Sequence, residues 1–72
     1  MSYIVIELQT TNGTTANIVS QYSDKNLAEQ KYHQILASAA VSTVDIHTAL
    51  MTDEYGHFLR AEHYEHNTEE EE

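Results

Sequence analysis

The chain has no cysteine, no proline and no tryptophan, and only two glycines and three basic side chains among its 72 residues. Each shortage excludes something. Without cysteine there is no disulfide framework and no thiolate zinc site. Two isolated glycines, Gly13 and Gly56, cannot make a glycine-rich phosphate loop. Lys25, Lys31 and Arg60 are too few to form the basic patch that neutralises nucleic-acid phosphates, so no direct nucleic-acid binding is expected. No apolar run approaches the roughly 20 residues of a membrane-spanning helix. The start, MSYIVIEL, lacks a basic leader and is interrupted by Glu7. These absences point to a soluble, cytoplasmic protein with no membrane association. A chain this short buries only about 60% of the surface its unfolded form exposes, so a single thin core is expected.

What the chain has in excess is acid, with a formal net charge of −9. The acids are unevenly placed. Asp53, Glu54, Glu62, Glu65 and Glu69 to Glu72 lie in the last twenty residues against one base, Arg60. Residues 1–52 hold Glu7, Asp24, Glu29 and Asp45 against two lysines. The terminal glutamate run reads as a disordered, solvating tail over 67–72, following a single domain over 1–66.

Five elements follow from pattern and punctuation. Residues 3–9 (YIVIELQ) are rich in β-branched and aromatic types and read as a strand, with Ile4, Ile6 and Leu8 on one face. Asn12-Gly13 readily takes the positive φ angles of a tight hairpin, which returns as a strand over 16–22. Asp24 can cap a helix running from Lys25 to about Ala40. Leu27, Ala28, Tyr32, Ile35, Leu36 and Ala39 give that helix one apolar stripe. A third strand is expected over 42–52, with Val44, Ile46, Thr48 and Leu50 on one face. Asp53 to Gly56 forms a turn, and a last strand spans 57–65.

Two hairpins flanking a helix make an α+β fold: ββαββ, one four-stranded antiparallel sheet in the order 2-1-3-4, with the helix on one face. Pairing Thr52 with His57 sets Leu50 against Leu59 and Thr48 against Ala61 on the helix side. The opposite face then carries Tyr3, Val5, Val19, Ala49, Met51, Phe58 and Tyr64. Mixed among them are Glu7, Asn17, Asp45, His47, Arg60 and Glu62. One helix covers one face, and an uncovered antiparallel face is normally polar. A half-apolar one marks a contact surface. The partner-binding candidates are therefore Tyr3, Val5, His47, Met51, Phe58 and Tyr64. Of the five tyrosines, Tyr32 is assigned to the core because it lies on the helix stripe.

Five histidines raise the question of metal, and spacing argues against it. His57 and His63 share a strand face but lie about 20 Å apart at strand rise. His47 is expected opposite Glu62, as a cross-strand polar pair. Glu62, His63 and His66 converge only if the chain turns helical after Ala61. No catalytic triad pattern is visible. The expectation is no metal, no cofactor and no catalysis.

Three stretches taken together carry a resemblance: YIVIELQT with the following NGTT turn, AEQKYHQILASAA, and VSTVDIHTAL. They resemble a group of short acidic proteins of intestinal Firmicutes and their phages or prophages. That group shares an E-x-Q-T strand, an A-E-x-K-[YF]-H helix and an H-T-[AV] strand. No activity or site comes with the resemblance. It implies a bacterial or phage origin and a small accessory or counter-defence protein. The functional expectation is a noncatalytic protein–protein interaction module, a homodimer using the uncovered sheet face or an edge strand. One form would be an inhibitor that occupies a basic surface on a host protein. The alternative is a structural homo-oligomer within a small assembly.

Overall fold

The structure, a computed structural model, describes residues 1–66, so the expected tail over 67–72 lies outside the described residues. Its elements are β1 (Tyr3–Thr11), β2 (Thr14–Tyr22), α1 (Lys25–Ala40), β3 (Ile46–Asp53) and β4 (Phe58–Glu65). The four strands form one antiparallel sheet in the order β2-β1-β3-β4, with α1 across one face. This is the expected ββαββ architecture.

Local chemistry sets the boundaries. Asn12 and Gly13 take φ of 54° and 80°, closing β1 on β2 through a two-residue turn that pairs Thr11 with Thr14. Asp24 caps α1, its Oδ1 accepting from the Asn26 amide at 2.8 Å. At the other end the Val41 and Ser42 amides donate to the Ser38 and Ala39 carbonyls. That closing turn uses residues a strand would need, so β3 starts at Ile46 rather than at Ser42. The Asp53 carboxylate organises the second hairpin by accepting from the Tyr55 and His57 amides at 2.9 and 3.0 Å. Gly56, with φ of 85°, supplies the left-handed position.

The register of β3 on β4 differs from expectation. Leu50 pairs with Ala61, Thr48 with His63 and His47 with Tyr64, two residues away from the expected alignment. A bulge between Met51 and Thr52 absorbs the offset: Arg60 and Phe58 find partners while Leu59 between them is extra. Because the shift is even, Leu50 still avoids Arg60 and side-chain alternation survives.

The larger correction concerns the helix. It lies on the face of Val5, Ala49 and Met51, the face expected to be open. Its buried residues Ala28, Tyr32 and Ile35 join those three in the core cluster, with Tyr3, Tyr22 and Leu36 packed around it. The reason is polar satisfaction. Tyr32 is fully buried, and a buried phenol needs a hydrogen-bond partner. Glu62, opposite Ala49, provides it: the Tyr32 hydroxyl donates to Glu62 Oε1 at 2.8 Å. The Arg60 guanidinium also lies 4.9 Å from the Tyr32 ring centre. The face of Ile4, Ile6 and Leu50 offers no such acceptor beside it, although it is the more apolar of the two.

Candidate interaction surface

With α1 on the Val5 face, no element among the described residues covers the opposite face of the sheet. Strand alternation and the pairing put Ile4, Ile6, Leu8 and Thr10 of β1 beside Thr52, Leu50, Thr48 and Ile46 of β3. Val19, Asn17 and Thr15 of β2 extend this face on one side, and Ala61 and His63 of β4 on the other. The central residues Ile4, Ile6, Leu8, Ile46 and Leu50 are half-buried by their neighbours. Nearer the rim, Val19, Phe58 and Leu59 are 59%, 70% and 44% exposed.

The face is nearly free of charge. β1, β2 and β3 contribute no acid or base to it, and β4 adds only His63 and Glu65 at one corner, 3.3 Å apart. In so acidic a chain this is a marked segregation. Other described acids lie off it: Glu54 in the second hairpin turn, Glu62 beside the helix, Asp24 at the helix cap.

The six partner-binding candidates from the sequence divide accordingly. Val5 and Met51, each 1% exposed, and His47, 4% exposed, lie beneath α1 as core, and Tyr3 packs half-buried against them. These four do not line an open face, because the helix occupies it. Tyr64 is at the helix-side margin, 43% exposed and stacked on His66 with ring centres 6.3 Å apart. Phe58, paired with Thr52, is the one candidate exposed at the edge of the uncovered face. Val19 and Asn17, expected with Val5, pair with Ile6 and Leu8 and share their face. Sequence reasoning missed Ile4, Ile6, Leu8 and Leu50 as surface. The signal that could have found them is the absence of charge along those positions, set against Glu7 and His47 on the other side.

Under the helix sits a small polar group. His47 Nε2 lies 2.6 Å from Glu7 Oε2, and Gln9 Nε2 donates to the same oxygen at 2.8 Å. Burial alone would push the Glu7 carboxyl up. The hydrogen bonds from His47 and Gln9, with the fields of the His47 imidazole and the Lys31 ammonium, outweigh it and hold the carboxyl below its ordinary range. His47 Nε2 therefore carries the proton of this bond, and the buried Nδ1 has no hydrogen-bond partner among the described residues. The Tyr32 phenol is pushed up to about 12, by burial first and then by its bond to the Glu62 carboxylate. Both clusters tie helix or strand to the sheet. Among the described residues no three His, Asp or Glu side chains converge as a metal-binding group, and no pocket is present. No helix among them is long and apolar enough to cross a membrane.

Comparison with protein-family models, with curated proteins and with solved structures finds no match to this chain.

Proposed function

We propose that the chain is a noncatalytic protein–protein interaction module that associates with a second copy of itself through the uncovered sheet face. The observation that supports this reading is an apolar face that carries charge only at one corner, on a chain of formal charge −9. Two acidic copies repel unless their contact keeps acids apart, and a self-complementary neutral face does so. Size is compatible with a dimer. Four strands spaced about 4.8 Å and eight residues long give a footprint of roughly 500 Å² per copy. A pair then buries about 1,000 Å², the lower bound for a stable interface. A basic host protein is served poorly by this face, whose one described acid is Glu65 at a corner. Glu54 and Glu62, both off it, are the side chains such a partner would meet on the assembled dimer.

Sedimentation equilibrium tests the reading. The wild-type chain should weigh at least twice 8.2 kDa at micromolar concentration. Ile6→Lys with Leu50→Lys should lower that mass by half while the circular dichroism of the helix is kept. A wild-type chain that stays at 8.2 kDa up to high micromolar concentration overturns it.

A further inference from the structure

The sheet has two outer strands, and they are unlike. β4 carries Arg60, Glu62 and Glu65 and is bent by the bulge at Leu59, devices that discourage another strand from pairing there. β2 has neither. Its nine residues, TTANIVSQY, contain no charge and no proline, pair with β1 without interruption, and are mostly exposed.

The hairpin fixes which backbone groups of β2 are free. A two-residue turn makes Thr11 and Thr14 a hydrogen-bonded pair, and such pairs alternate along an antiparallel ladder. Thr14, Ala16, Ile18, Ser20 and Tyr22 therefore direct their N–H and C=O groups to β1. Thr15, Asn17, Val19 and Gln21 direct theirs away from the sheet, where no strand among the described residues meets them.

We propose that this edge is a second self-association surface, in which β2 pairs antiparallel with β2 of another copy about a two-fold axis at Ile18. That axis sets Asn17 opposite Val19 and Thr15 opposite Gln21. It is the register in which every outward-facing residue meets an outward-facing residue, giving about eight backbone hydrogen bonds. Ile18, 54% exposed and on the helix side of β2, meets its own copy at the axis. No like charges are opposed, because the strand has none. The axis is normal to the sheet, so both helices stay on one side and the uncovered face becomes continuous over eight strands. This inference stands on the backbone of β2 and does not depend on the face-to-face contact proposed above. The two axes are perpendicular, and together they stack two eight-stranded sheets as a D2 tetramer.

The test uses Ile18→Lys, which brings two ammonium groups together at the axis from a position off the uncovered face. A second variant, Asn17→Pro, removes an outward N–H and leaves the ladder to β1 complete. On the Leu50→Lys background, which disables the face, sedimentation should give a dimer of about twice 8.2 kDa. Adding Ile18→Lys or Asn17→Pro should halve it to the monomer. In the unsubstituted chain the Asn17 and Val19 amides should exchange with solvent at least tenfold more slowly in the assembly than in the doubly substituted monomer. A Leu50→Lys chain that is already monomeric overturns the edge pairing, as does a mass that neither β2 variant changes. An assembly lost with Leu50→Lys and indifferent to Ile18→Lys supports the face and removes the edge; the converse supports the edge and removes the face.

Discussion

Glu7 and His47, forty positions apart in the chain, lie with carboxylate and imidazole 2.6 Å from each other beneath the helix. The Glu7 side chain is 14% exposed and that of His47 5%, so water contributes little to satisfying either. Gln9 donates to the same carboxylate oxygen. Glu7 is one of two carboxyls, with Asp53, held below the ordinary range in the fold.

The Glu7 carboxyl is held below its ordinary 4.5 in the folded state. A carboxyl so lowered contributes stability that is fully present above the unfolded value and is lost as pH falls through the folded one. Wild-type urea midpoints should therefore decline from about pH 5 downward. Glu7→Gln should cost about 1–3 kcal/mol at pH 7, the range for losing a charged hydrogen bond. The variant should also flatten the acid limb. If wild type and variant show parallel midpoints from pH 7 to pH 3.5, Glu7 is not the group responsible.

At the alkaline end the responsible group is Tyr32. Its phenol is raised from 10.0 to about 12 by burial and by the Glu62 carboxylate that accepts its proton. A phenol raised in the fold contributes no penalty below the unfolded value, and the fold loses stability as pH rises past it. In an absorbance titration, the Tyr32 component should appear near pH 12, or together with unfolding. Tyr32→Phe should remove the late component and cost about 1 kcal/mol, the typical net worth of one hydrogen bond. A Tyr32 component near pH 10 in the folded wild type would count against the Tyr32–Glu62 bond.

Met51 and Phe58 separate the two faces of the sheet. Met51 is 1% exposed in the core and Phe58 is 70% exposed beside the bulge. Met51→Ser should cost about 2–5 kcal/mol, the cost of emptying a core site, and leave the domain largely unfolded. Phe58→Ser should keep the helix signal and change the urea midpoint little. Equal losses in the two variants would mean that both side chains are core and that the faces are assigned wrongly.

These faces mark where sequence reading succeeds and where it stops. The Asn12-Gly13 turn, the Asp24 cap and the Gly56 turn are local, so residue identity is enough to place them. Strand order followed from which strands are most apolar. The choice of face did not, because β1 and β3 are half apolar on both sides. It turned on where the Tyr32 hydroxyl finds an acceptor and where Glu7 finds a donor, and both partners are distant in the chain. The bulge at Leu59 was equally silent, since no glycine or proline marks it. The uncovered face inherited both misreadings, and its most central residues were taken for core.

The last turn of the helix is held by a residue that pattern analysis left without a role. His66 follows β4, and its amide donates to the Asp45 carbonyl at 2.7 Å, returning the chain towards α1. Its Nε2 then reaches the Ala39 carbonyl, also at 2.7 Å. Carbonyls in the last turn lack intrahelical partners, and a histidine N–H is a suitable donor to them. Nε2 must carry the proton for this bond, leaving Nδ1 to the solvent side. His66→Ala should destabilise by about 0.5–1.5 kcal/mol, the net value of one such bond. The loss should be local: amide exchange of Val41 and Ser42, which close the same turn, should speed up while Ala28 in the first turn and Tyr32 at mid-helix stay unchanged. Uniform acceleration along the helix would show that His66 supports global stability and does not act as a cap.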